Sequence, residues 1–543
     1  MKHVFLFGIF GWFLSFTLVA QTGIWQWSVP VRNFSTHPKN PESRAYLWIP
    51  SQCEQVKAIL VAQHNMEEIS ILEDEVFRQR MAELDVAQIW VCPSFNHGFD
   101  FTDGAWETLD GLLADLAEES GYKELSTAPL IAIGHSAAAS WPYYLAAYKP
   151  ERTLACISVS GQWPYHRDKW LCPDIWGERN INKIPCLETM GEYESAHTWS
   201  NEGLKERKEH PLLPLSMLAC PADLRDKVNR PAEGHFAYTP EKAQYIALYI
   251  KKAMHYGHVD PTKEGWLMER WKKNEKPSCI PAPVNQFKGD PAQAFWFFDR
   301  EMIEATLAYQ SRYYDMKPQL VSVSQNGKTV SQQNTHLQVH SAFMPQEDGI
   351  TFQLTPVFLD TVPGESPRLS NWTDLPVGAS IGHAGKSPVL QMITGPAVLV
   401  DSVTFRIQWN RGTLWTDKKS DIVFSITHPG DKEYKPAVQQ AQITIPVKNR
   451  EGQPQHIEFA TLPDIKRGTK YVSLSAVSSC GLPVDFYVES GPAYVDGNRL
   501  ILTAIPPKAA YPVKVTVIAW QYGKNSYPKI KTAEPVKQTF YIQ

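Results

Sequence analysis

The chain has 543 residues, with 53 Lys and Arg against 57 Asp and Glu, a near balance that argues against a nucleic-acid binder. At ~100–200 residues per domain, a single core is excluded and about three domains are expected. The 18 Trp, 22 Tyr and 23 Phe can fill cores and interfaces and can equally stack on sugar rings.

Lys2-His3 form a short polar start, residues 4–20 are almost wholly apolar, and polarity returns at Gln21-Thr22. This predicts a signal peptide over 1–20, cleaved near Ala20, with an uncleaved anchor as the alternative, and hence export to the periplasm or beyond the cell. The junction has no Cys for a lipid anchor, and no later stretch is apolar enough to cross a membrane, so no integral span is expected after signal removal. Export permits disulfides. Cys92, Cys156 and Cys186 fall in apolar strand patterns and read as reduced core thiols; Cys172, Cys220, Cys279 and Cys480 lie in or beside loops, where one bridge can form.

Short apolar runs at 57–63, 88–93, 128–133, 153–159, 185–190 and 213–218 alternate with helical spacing at 68–84, 105–119, 137–148 and 239–255. Near-continuous apolar strands between helices predict an α/β unit with a mostly parallel, doubly wound sheet, spanning 21–290 with a proline-bearing wrap at its end. Residues 291–316 read as a linking helix, whose Trp296-Phe297-Phe298 face suits docking better than ligand binding. Beyond Lys317 the helical period is lost. Alternating runs such as 351–359, 402–409, 421–427 and 442–447 predict two β-sandwiches, over 317–448 and 449–543, with no catalytic residue in either.

The run IAIGHSAAASWPYYLAA, residues 131–147, carries an apolar strand into Gly134-His135-Ser136 and straight on into a helix. Such a turn pushes a serine Oγ above the sheet edge, and small neighbours at 134 and 138 let strand and helix pass closely. Pro142 inside that helix predicts a kink. With this motif the segment 45–257 resembles the α/β-hydrolase superfamily, particularly its secreted esterase and dienelactone-hydrolase-like branches. Residues 450–543 resemble bacterial immunoglobulin-like repeats, with Asp496-Gly497-Asn498 as a hairpin turn.

The hydrolase resemblance implies Ser136 as nucleophile and His235, in Glu233-Gly234-His235 before a terminal helix, as its base. The acid is expected three residues after Gly191, at Glu194, with Glu192 as rival and Glu188 inside the strand. Backbone N–H groups of Ala137 and of Met66, in Gln63-His64-Asn65-Met66, are the expected oxyanion donors. Substrate contacts are expected from His64, His97, Trp163, Tyr165 and Trp199, with Trp170 and Trp176 on the same loops and Trp141 in the core. Neither metal spacing nor a phosphate loop appears, so no cofactor is expected. The expected reaction is ester hydrolysis through an acyl-enzyme, on a small-molecule or, by association with export and aromatic loops, a decorated polysaccharide or oligosaccharide ester. A peptidase or lipase, or a catalytically silent surface or carbohydrate-binding protein on the same fold, are the alternatives.

Overall fold

The computed structural model describes residues 24–32, 43–166, 173–191, 196–220, 234–235, 239–270, 278–310, 316–331, 339–364, 373, 375–414 and 417–543. The leader therefore lies outside the described residues. Among the described residues no helix is long and apolar enough to cross a membrane. Cys92, Cys156 and Cys186 are buried free thiols, and Cys279 and Cys480 are free as well.

The apolar runs of the first half form one eight-stranded sheet. Its strands are β1 (Trp27–Pro30), β2 (Arg44–Trp48), β3 (Ala58–Gln63), β4 (Val86–Cys92), β5 (Leu130–His135), β6 (Thr153–Val159), β7 (Cys186–Gly191) and β8 (Leu215–Cys220). The order is β1-β2-β4-β3-β5-β6-β7-β8. Strands β1 and β2 run antiparallel at one edge, and from β4 to β8 all pairings are parallel. Every residue of β3, β4 and β5 is buried, as expected for a sheet covered on both faces. This strand order, with helices between the parallel strands, is the α/β-hydrolase-like arrangement.

The helices are α1 (Glu68–Leu72), α2 (Glu75–Glu83), α3 (Ala105–Ser120), α4 (Trp141–Tyr148), α5 (Ala196–Glu209), α6 (Pro240–Tyr256) and α7 (Arg300–Gln310). Three differ from the sequence reading. The single helix expected over 68–84 is two, because Asp74 takes an extended backbone and accepts the Phe77 N–H at 2.7 Å, starting α2 afresh. Pro142 kinks nothing: a 3₁₀ turn over Ser136–Ala138 delays the α-helix, so Pro142 falls in the first turn of α4, where its missing N–H is not needed. The helix expected over 291–316 is a strand followed by a shorter helix. Ala294–Phe297 pairs antiparallel with Trp266–Glu269, and Asp299 Oδ1 then accepts the Met302 N–H at 3.0 Å, starting α7. The β-favouring Phe-Trp-Phe prevails until that cap.

The described part of 317–543 forms six sheets of two to four strands. One apolar core gathers Val323, Phe352, Phe405, Ile422, Phe424 and Ile443; a second gathers Leu500, Val513, Val515, Val517 and Phe540. Trp409 of the middle unit stacks on Trp520 of the last at 4.9 Å between ring centroids. Both units reach the N-terminal half. Ser70 Oγ donates to the Ile393 carbonyl at 2.9 Å, Gly491 N–H to the Trp25 carbonyl at 3.0 Å, and Ala510 N–H to the Ser120 carbonyl at 2.8 Å.

Candidate active site

Strand β5 ends at His135, and Ser136 follows with φ of +54°. A side chain in that left-handed region is strained by ~1–3 kcal/mol, a cost that persists only when the surroundings impose it. Here they do. A Cβ on Gly134 would lie 1.8 Å from the Ala138 carbonyl oxygen, and one on Gly161 would lie 1.9 Å from Ala139 Cβ. Backbone at the elbow is packed so closely that no larger residue fits at 134, while Ala138 is accommodated fully buried.

His235 Nε2 stands 2.7 Å from Ser136 Oγ. The His235 backbone is tied down from beneath: His135 Nε2 donates to the His235 carbonyl at 2.7 Å, and the two rings lie 4.7 Å apart. Burial and the neighbouring His235 push the His135 imidazole well below its ordinary pKa, and its Nε2 also stands 3.5 Å from the buried Glu67 carboxylate. His235 itself is largely buried, and Thr239 Oγ1 caps α6 behind it by accepting the Lys242 N–H at 3.1 Å. Glu194 and Glu192, the two acid candidates, lie outside the described residues. Glu188 is fully buried in β7, where its Oε1 accepts the Gly161 N–H at 3.2 Å.

The loop after β3 holds a group that the sequence reading passed over. Glu68 is fully buried; its Oε2 accepts the N–H of Met66 at 2.8 Å and of Asn65 at 3.1 Å, and its Oε1 accepts the His135 N–H at 2.8 Å. One carboxylate thus joins the loop to the residue before the elbow. Asn65 Nδ2 adds a second tie by donating to the His135 carbonyl at 2.9 Å. Burial pushes the Glu68 carboxyl up to about 7 against the opposing pull of these amide donors. An acid in the first turn of a helix ordinarily reads as a partner of the helix dipole, so Glu68 gave no separate signal. The Met66 N–H, expected as an oxyanion donor, is already donated to Glu68, so it can turn to an oxyanion only by exchanging that bond. Ala137 follows Ser136 in the 3₁₀ turn.

Of the expected substrate contacts, His64 and His97 are adjacent: His97 Nε2 donates to the His64 carbonyl at 3.1 Å. Burial pushes the His64 imidazole down to about 4. Its ring stands edge-on to Trp90 at 5.3 Å. Trp163 is a correction. It is fully buried, stacks on Phe295, and donates through Nε1 to the Trp199 carbonyl at 2.6 Å. A Cβ on Gly203 would come within 2.6 Å of its ring, so the indole fills a slot in the packing and presents no face to a substrate. Trp176 and Trp141 are buried too. Tyr165 stays half-buried, stacked on His210 at 3.7 Å, and Trp199 is half-buried beside His166. Trp170 lies outside the described residues.

No family model and no curated protein sequence matches the chain. Solved structures resemble its first half. A dienelactone hydrolase from Anabaena variabilis is 13% identical with a TM-score of 0.28, covering 44% of this chain and 100% of its own. Est1E from Butyrivibrio proteoclasticus is 14% identical with a TM-score of 0.25, covering 39% and 95%. A Bacillus cereus carboxylesterase is 14% identical with a TM-score of 0.26, covering 38% and 93%. At such scores the likeness carries no weight of its own; strand order and register define the fold.

Proposed function

We propose that the chain is an exported serine hydrolase that cleaves carboxylic esters, with a decorated polysaccharide or oligosaccharide as substrate. The observation that carries the reaction class is the 2.7 Å approach of His235 Nε2 to Ser136 Oγ at a positive-φ turn held open by Gly134. In this reading Ser136 Oγ attacks the acyl carbon as its proton passes to His235 Nε2. The tetrahedral oxyanion is held by the Ala137 N–H, and by the Met66 N–H once that group leaves Glu68. Collapse expels the alcohol, which takes the proton from His235. Water then attacks the acyl-serine with His235 again as base, and the acid and free Ser136 are released. Glu194 orients His235 throughout, with Glu192 as its rival. The chemistry needs no cofactor.

The sugar part of the reading is supported by the leader-like 1–20 segment, the many aromatics, and the appended β units. Those units are proposed as two sandwiches, over 317–448 and 449–543, the second of the bacterial immunoglobulin-like type. The deciding experiment is turnover of small aryl esters, peptides and long-chain acyl esters by wild type and Ser136→Ala, with fluorophosphonate labelling. Hydrolysis of short esters that Ser136→Ala lowers by several orders of magnitude, with folding intact, is expected. Preference for peptides or long acyl chains would make it a peptidase or lipase. Absence of labelling in folded wild type would make it a silent binding protein.

A further inference from the structure

A cleft of about 630 Å³ lies where the catalytic half meets both β units. That volume falls within the ~300–1,000 Å³ of small-molecule clefts. One wall is His64, Asn65 and Met66, the loop that Glu68 and Asn65 tie to His135, immediately before Ser136. The middle unit contributes Asn410, Arg411 and Asp417; the last unit contributes Tyr487 and Tyr494. Every part of the chain is therefore represented in one concavity that adjoins the elbow through a hydrogen-bonded loop.

Several contacts show that the walls are built and are not a chance gap between parts. The Met66 side chain packs against Ile393 and Val423 of the middle unit. Arg411 crosses between units: its Nη2 donates to the Val488 carbonyl at 3.1 Å, its own carbonyl accepts from Tyr46 Oη at 3.3 Å, and its Nη1 stands 3.9 Å from Glu73 Oε1. The catalytic loop and the two β units thus hold one another in a fixed relation around the cleft.

The lining has a distinct chemistry. Tyr487 and Tyr494 are half-buried phenols on consecutive strands, Tyr487 packed in part against the core of the middle unit. Around them stand the amides of Asn65 and Asn410, each already making one or more bonds within the protein with amide positions to spare, and the Ser420 hydroxyl. The charged lining is mixed: Glu73, Asp417 and Asp421 against Arg411 and Lys419. A slight negative excess disfavours polyanions, and much of the remaining lining, Ile69, Met392, Leu414 and Val423 among it, is apolar. Aromatic faces interleaved with bidirectional hydrogen-bonding groups suit an uncharged, polyhydroxylated ring.

We propose that this three-part cleft is a subsite for the neutral glycan portion of the substrate, holding sugar rings beside the site where Ser136 attacks the ester. The inference rests on the ester-hydrolase reading above. It goes further by assigning recognition to residues of the β units and by specifying neutral rather than anionic sugars.

The test uses full-length Ser136→Ala protein, in which bound ligand is not turned over. Calorimetry is run with xylohexaose, mannohexaose, cellohexaose and, as the anionic arm, hexagalacturonate. At least one neutral hexasaccharide is expected to bind. Adding Tyr494→Ala, or Asp417→Ala at an exposed position that does not support packing, is expected to weaken that binding tenfold or more with the unfolding midpoint unchanged. Tighter binding of hexagalacturonate, no binding of any neutral hexasaccharide, or binding that survives both added substitutions would overturn the proposal. Fluorophosphonate labelling of wild-type Ser136 is measured alongside. Labelling without glycan binding removes the subsite and leaves the hydrolase; glycan binding without labelling removes the hydrolase reading instead.

Discussion

Replacing Gly134 by Ala tests whether the elbow geometry is as tight as the backbone implies. The added Cβ would fall 1.8 Å from the Ala138 oxygen, 2.6 Å from its carbonyl carbon and 3.0 Å from Trp141 Cδ1. Comfortable contact needs roughly 3.5 Å, so the 3₁₀ turn must retreat by more than about 1 Å. The two closest atoms are backbone, and no flexible side-chain end can swing away. Overpacking of this kind costs ~1–3 kcal/mol. The larger effect is on Ser136, two residues on, because a displacement of about 1 Å at a reacting group costs on the order of 10²-fold in rate. Urea unfolding followed by tryptophan fluorescence gives the first quantity, and initial rates on p-nitrophenyl acetate give the second. Gly111→Ala is the control. Gly111 lies in α3 with nothing near its absent Cβ, so alanine there is expected to stabilise by ~0.5–1 kcal/mol and leave the rate alone. If Gly134→Ala keeps wild-type turnover and loses less than ~0.5 kcal/mol, the close-passage argument is wrong.

Three further outcomes are expected. Glu68→Gln leaves one amide donor facing another and should destabilise by ~1–3 kcal/mol at pH 5. Because burial raises the Glu68 carboxyl from 4.5 to about 7, the unfolded chain loses that proton first, so wild-type stability falls as pH rises through this window. Glutamine does not titrate, so the gap between the two proteins should narrow by pH 8; a gap independent of pH would refute the shift. Trp163→Ala should cost ~3–5 kcal/mol in thermal or chemical unfolding with KM for small esters unchanged, and a stable variant with a raised KM would return Trp163 to the binding wall. Glu194→Gln should depress kcat far more than Glu192→Gln at equal stability, and the reverse order would transfer the acid role to Glu192.

What the sequence made legible was local. The parallel strands show because each is a short apolar run, and Ser136 shows because strand, small residues and helix are contiguous. The edge strands β1 and β2 escaped the reading because runs as short as Trp27–Pro30 and Arg44–Trp48 carry too few residues to show a period. Trp163, Trp170, Trp176 and Trp199 all follow strand runs in the sequence, but whether an indole faces ligand or core depends on what packs over it. For Trp163 that is Phe295 and Gly203, both distant in sequence. Glu68 was hidden for the same reason, since its partner His135 stands 67 positions away. The 294–297 strand misled because aromatic residues followed by Asp-Arg-Glu fit a continuous helix as readily as a strand and a cap.

The hydrogen bond from Gly491 to the Trp25 carbonyl joins one of the first described residues to the last β unit. In order of synthesis the strands of the eight-stranded sheet emerge long before that donor, and domains generally fold as they emerge. Until residue 491 arrives, the Trp25 carbonyl must be satisfied by water. The Ser120 carbonyl waits likewise for Ala510, and the Met66 side chain stays uncovered until Ile393 and Val423 arrive. A chain cut short in the middle unit would leave the Met66 side chain uncovered, on the loop that Glu68 ties to His135.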